Sequence, residues 1–114
     1  MDDMTDQMTK YRDCVRRIVE GHAHPSLHPE QVETQIVTDE KHDHYLLLYV
    51  GWRGNQRIRG IVLHLDIKEG RIWVQHDGTE YGVANELVEM GIPKADIVLG
   101  FRAPHRRRDT EFAA

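Results

Sequence analysis

Cys14 is the one cysteine of this chain. A single sulfur closes no intramolecular disulfide and builds no zinc site of several thiolates, so a reducing, cytoplasmic setting is expected. Long apolar runs are missing too. The longest, Tyr45 to Val50 and Ile61 to Leu65, fall far short of the roughly 20 residues that cross a bilayer. The first residues carry Asp2, Asp3 and Asp6 where a leader would be basic and then apolar, so neither a membrane span nor a signal peptide is expected. Positive charge is scarce. A formal net charge of −4 argues against a protein that grips nucleic acid by itself, because non-specific affinity comes mainly from Lys and Arg neutralising phosphates. The C-terminal group Arg102, Arg106, Arg107 and Arg108 reads first as a solvated tail, with direct DNA contact as the lesser alternative.

What remains is globular. With 39% hydrophobic and 30% charged residues over 114 positions, the chain has the material for one core. We therefore expect a single domain over 1–114, with 1–9 and 105–114 as flexible ends.

Between about Thr5 and His22, residues Tyr11, Cys14, Val15, Ile18, Val19 and His22 recur at helical spacing. Gly21 and the run His24-Pro25-Ser26-Leu27-His28-Pro29 stop that helix, since proline donates no backbone hydrogen bond. Val32 to Thr38 and His44 to Trp52 then read as two strands joined by the charged turn Asp39 to Asp43. A turn over Gly51 to Gln56 leads into Arg57 to Lys68, where Ile61, Leu63, Leu65 and Ile67 share one face.

Glu69-Gly70 has the form of a two-residue hairpin loop into Arg71 to His76. The register follows: Lys68 opposite Arg71, Ile67 opposite Ile72, Asp66 opposite Trp73, Leu65 opposite Val74, His64 opposite Gln75. The core face is then Leu63, Leu65, Ile67, Ile72 and Val74, with His76 at its end. The other face carries His64, Asp66, Trp73 and Gln75, polar groups around one aromatic, which suggests partial exposure or a contact surface.

Asp77 or Thr79 is expected to cap a second helix, with Glu80 returning to Asp77 as in a capping box. Val83, Ala84, Leu87 and Val88 form its buried stripe, and Gly91 with Pro93 ends it. Asp96 to Phe101 closes the order as a short strand with Ile97, Leu99 and Phe101 on one side, before a fraying tail. The class is α+β: a mostly antiparallel sheet of four to five strands carrying an N-terminal helix and a second helix.

Four groups of residues offer site chemistry. His64, Asp66, His76 and Asp77 offer imidazoles and carboxylates, but the register splits them between faces, leaving His76, Asp77 and Glu80 as a separate polar cluster. Asp66-x-Lys68 with Asp43 resembles the acidic and lysine pattern of metal-dependent nucleases, although a further acidic ligand is missing. His42, His44 and His64 could meet across strands, yet turn histidines are usually just solvated. Cys14 lies on the helix stripe and reads as a buried, inert thiol. No catalytic residue, metal or cofactor is assigned from these patterns.

The segments Asp43 to Trp52, Gly60 to Lys68 (GIVLHLDIK), Gly70 to Glu80 (GRIWVQHDGTE) and Gly91 to Phe101 (GIPKADIVLGF), in this order, resemble the XisI family, and Thr110-Glu111-Phe112-Ala113 looks like that family's end. The resemblance implies a factor controlling excision of the fdxN element, a DNA segment removed by a site-specific recombinase. It also implies a partner, XisH, with an endonuclease-like fold. No family residue roles carry over.

An acidic accessory protein suits a basic nuclease-like partner. The expectation is therefore a non-enzymatic interaction protein, touching DNA only indirectly and self-associating as a homodimer or larger oligomer. Its contact face would hold His64, Asp66, Trp73 and Gln75. The alternatives are a metal-dependent nuclease using Asp43, Asp66 and Lys68, or an antitoxin-like inhibitor of the partner.

Overall fold

The computed structural model describes residues 3–24 and 31–114. The expected loop over Pro25 to Pro29 lies outside the described residues. Helix α1 spans Asp3–His22, β1 Val32–Asp39, β2 His44–Arg53, β3 Gln56–Lys68, β4 Arg71–Asp77, α2 Val83–Glu89, β5 Ile97–Leu99 and α3 Pro104–Arg107, with a 3-10 turn at Lys94–Asp96. The sheet order is β1-β2-β3-β4-β5, antiparallel except for the parallel β4–β5 pair. The fold is α+β, as the sequence patterning implies.

Helices α1 and α2 cover one sheet face because that is where the apolar stripes point. Tyr11, Cys14, Val15, Ile18 and Val19 of α1 are buried against Tyr45, Leu47, Leu63, Leu65, Ile67, Ile72 and Val74 of the sheet and Val83, Ala84 and Leu87 of α2. Each fully buried aliphatic side chain contributes about 1.5–3 kcal/mol. At the polar edge of this layer, His22 Nε2 lies 2.8 Å from a Glu86 carboxylate oxygen, joining the two helices. Tyr11 donates its hydroxyl to Asp96; burial and that carboxylate together push the phenol up to about 12. Among the described residues no helix is long and apolar enough to cross a membrane.

Turn chemistry fixes most of the register. Glu69 and Gly70 both have positive φ, as a type I′ hairpin demands, and Lys68 pairs with Arg71. The predicted pairs Ile67 with Ile72, Asp66 with Trp73 and Leu65 with Val74 are present. The pair His64 with Gln75 is not. A bulge leaves Gln75 unpaired and sets His64 against His76, since one extra residue on a strand reverses every later side chain. His76 therefore leaves the core face and is exposed, while Asp77 turns to the helix side opposite Leu63.

A second bulge lies between β2 and β3, where Leu47 pairs with Leu63 and Leu48 with Ile61, leaving Val62 as the extra residue. Val62 packs on the core and Ile61, expected inside, is 45% exposed.

Asp77 caps α2 from a distance. Its carboxylate accepts hydrogen bonds from the Val83 and Thr79 amides and the Thr79 hydroxyl, whereas Glu80 is exposed and closes no capping box. The helix ends as expected, with Gly91 at φ +94 and the Ile92 and Gly91 amides donating to the Leu87 and Val88 carbonyls.

The final strand is shorter than its alternation suggests. It holds only Ile97 to Leu99, all buried, and Phe101 is exposed. The segment after Arg102 folds back where a polar tail was expected to fray. The Ala113 amide donates to the Ile97 carbonyl at 2.9 Å, and Ala113 bridges Val98 in parallel.

Candidate functional site

The face opposite the helices carries the candidate site, and strand alternation decides its contents. Because Leu65 and Ile67 point into the core, Asp66 points the other way, with Lys68 and Trp73 on the same side. Pairing with β2 places His44 beside Asp66 and Leu46 beside His64. Asp66 is nonetheless 9% exposed, because its neighbours close over it.

His44 Nδ1 lies 2.8 Å and His64 Nε2 3.0 Å from Asp66 Oδ1, and Gln75 Nε2 donates to Oδ2 at 3.1 Å. The ligating atoms of His44, His64 and Asp66 all fall within 4.8 Å of one another. Burial pushes the Asp66 carboxyl up, but the hydrogen bonds from His44, Gln75 and His64 outweigh it and hold the group below the usual carboxylate range. Asp66 is an acceptor at neutral pH, and its hydrogen bond raises the pKa of His44.

Gln75 reaches Asp66 because of the strand bulge and because residue 100 is glycine. A Cβ on Gly100 would stand 2.5 Å from Gln75 Oε1.

The expected residues divide between several environments. His64, Asp66 and Gln75 come together, joined by His44, which the sequence patterning grouped with His64 and His42. His42 faces away to its own turn, with Nδ1 2.8 Å from Asp39. Trp73 is not a free anchor. Its ring lies between Lys68 Nζ, 4.0 Å from the ring centroid, and the Arg107 guanidinium at 5.2 Å. Arg107 also donates to the Leu99 and Arg102 carbonyls, so it holds the tail instead of offering a free charge for DNA. The Trp73 Nε1 donor is buried without a partner among the described residues. His76, Asp77 and Glu80 form no common cluster: Asp77 is the cap of α2, and the other two are exposed.

The residues of a hydrolytic metal centre diverge. Asp43 takes a bidentate pair from Arg12 of α1, at 2.8 and 3.1 Å, and a 3.0 Å hydrogen bond from the buried Tyr45 hydroxyl, all on the helix side. Asp66 is on the open face and Lys68 lies over Trp73. The three do not converge on one phosphate.

The sequence reading missed the apolar part of the open face. Along β2 the alternation from His44 places Leu46, Leu48, Val50 and Trp52 on this side, paired across to Val37 on β1 and Ile61 on β3. Val37, Trp52 and Ile61 are 49%, 52% and 45% exposed. The C-terminal segment reaches Trp73 of β4 through Arg107 and Val98 of β5 through Ala113, at one end of the sheet.

Fold and site define a single-sheet α+β protein with a helix-covered face and an open face bearing a buried carboxylate and exposed apolar residues. The family model described as XisI protein matches residues 4–114, and the chain belongs to the XisI family. It is similar to the crystal structure of a XisI-like protein from Anabaena variabilis ATCC 29413, with 40% identity, 93% of this chain and 97% of that one covered, and a TM-score of 0.88. It is likewise similar to the fdxN element excision controlling factor XisI from the same organism, at 37% identity, 94% and 97% coverage and a TM-score of 0.84. No curated protein matches it by sequence.

Proposed function

We propose that this chain is a cytoplasmic, non-catalytic accessory factor that controls excision of a DNA element by binding a nuclease-like partner of the XisH type. It works as one domain and meets DNA only through that partner. The observation that carries the reading is the open face of β1 to β3, where Val37 and Ile61, near the His44, His64 and Asp66 cluster, and Trp52, at the far end of β2, are each about half exposed. Contiguous exposed apolar surface with a polar rim is characteristic of protein interfaces. Arg57 lies 5.3 Å from the Trp52 ring centroid, and Trp and Arg are both residue types enriched at interface hot spots.

The divergence of Asp43 from Asp66 speaks against a nuclease centre in this chain. The net charge of −4 favours a basic partner and disfavours phosphate. Whether the partner is activated or restrained, as by an antitoxin, depends on which of its surfaces is covered. Self-association would use the same face.

Co-expression with the XisH-type protein, followed by mass determination, tests this. A stable complex containing both chains is expected. If this chain elutes only with copies of itself at micromolar concentration, the partner reading fails.

A further inference from the structure

Two imidazole nitrogens aimed at one oxygen are an uneconomical way to satisfy a carboxylate. Asp66 has two oxygens with several lone pairs, yet His44 and His64 both converge on Oδ1 while Gln75 alone serves Oδ2. We propose that His44 Nδ1, His64 Nε2 and an Asp66 carboxylate oxygen form a binding site for a divalent transition ion of the zinc class.

The geometry is close to what such an ion needs. Zinc binds imidazole nitrogen and carboxylate oxygen at about 2.0–2.2 Å, so ligand atoms of a tetrahedral site stand about 3.3 Å apart. The two nitrogens stand 2.8 and 3.0 Å from Oδ1, and all the ligand atoms lie within 4.8 Å. Admitting the ion widens the two N–O separations by a few tenths of an ångström and draws the two nitrogens, up to 4.8 Å apart, together by as much as about 1.5 Å through rotation of the half-exposed His44 ring. Two imidazoles and one carboxylate are donors that suit zinc and its neighbours in the first transition row and suit calcium or magnesium poorly. On entry, a neutral ring moves the proton facing Asp66 to its other nitrogen, a doubly protonated ring releases that proton to solvent, and in either case a neutral imidazole meets the ion.

The site is also built rigidly. His44, His64 and Asp66 project from paired positions of two central strands, fixed by the register Leu46 with His64 and His44 with Asp66. Gln75 holds the remaining carboxylate oxygen, the kind of supporting hydrogen bond that orients metal ligands. His44 is about half exposed, so the remaining coordination position faces the open side of the sheet. Water fills it in the free protein, and a donor side chain of a bound protein would replace that water. His42 points to Asp39, and Asp43 to Arg12, so neither belongs to the site.

The test is zinc titration of the full chain without a polyhistidine tag, after chelator dialysis and in competition with a chromophoric chelator. One equivalent per chain is expected. His44→Gln and His64→Gln should each weaken binding at least tenfold, whereas His42→Gln should change it less than twofold. Because substitutions around Asp66 can disturb folding, the unaltered protein supplies a second readout. In long-range 1H–15N spectra, zinc should shift the ring nitrogens of His44 and His64 and leave those of His42 and His105 in place. No zinc uptake, uptake indifferent to His44 and His64, or equal shifts across the histidines would overturn the proposal.

Discussion

Gln75 occupies space that exists only because residue 100 is glycine. A Cβ there would lie 2.5 Å from Gln75 Oε1 and 3.2 Å from the Val74 carbonyl, while Gln75 Nε2 donates to Asp66 at 3.1 Å. Gly100→Ala should therefore push the amide aside and leave one oxygen of a nearly buried carboxylate short of a donor. The expected cost is about 1–2 kcal/mol in urea unfolding, together with a shift of the Gln75 side-chain amide in the NMR spectrum. An unmoved Gln75 amide would show that the glycine matters for another reason.

Glycines elsewhere in the sheet separate backbone crowding from mere turn preference. At Gly51 a Cβ would sit 2.0 Å from the Gln31 carbonyl oxygen and 2.6 Å from Val32 Cα, backbone atoms that cannot swing away. Gly51→Ala should cost about 3 kcal/mol or more. Gly60, on the same hairpin, has nothing within 4 Å. There Gly60→Ala should change stability by less than about 1 kcal/mol, with a gain as the favoured sign. Paired chemical denaturation curves check both.

The Arg12 guanidinium holds the Asp43 carboxyl below its ordinary value, against the opposing effect of burial. The folded-state pKa is thus depressed relative to the unfolded chain, whose Asp titrates near about 3.9. This contribution is fully present above that value and is lost as pH falls through it toward the lower folded pKa. It is modest, because Arg12 is 40% exposed and solvent screens the pair. Asp43→Asn, which tolerates the φ of +59 at this position, should flatten the fall in stability below pH 4. Melting curves across the acid range would show it.

Trp73 joins the sheet to the C-terminal segment through Arg107. Trp73→Ala should cost about 2–4 kcal/mol and expose residues 102–112 to limited proteolysis. Trp73→Phe keeps a ring under Lys68 and Arg107 and removes the buried indole N–H, which has no partner among the described residues. It should cost clearly less than the alanine variant and leave the segment protected. Equal losses would mean that the ring does not seat the tail.

The parts of this fold that were legible in the sequence are those written in period and turn chemistry. The stripe of α1, the Glu69-Gly70 hairpin with most of its register, and the Gly91 helix end were all readable, because each depends on neighbours in sequence. The two bulges were not. Val62 and Gln75 carry no local mark of being the extra residue, yet each reverses the residues beyond it, sending Ile61 outward and setting His76 beside His64. That is why His44 was grouped with His42 and His64 but not with Asp66 and Gln75, and why the exposed apolar patch went unseen. The docking of Arg107 on Trp73 joins residues far apart in sequence and left no periodic trace.

The central claim is that the bare sheet face binds a nuclease-like partner. The most direct measurement is the affinity of the XisH-type protein for the native chain and for Ile61→Asp, a change at a 45% exposed position that leaves the core untouched. The account predicts a stable complex with the native chain and at least a tenfold weaker one with Ile61→Asp, with unchanged melting of the free variant. Equal affinity for the two proteins would contradict it and move the interface elsewhere.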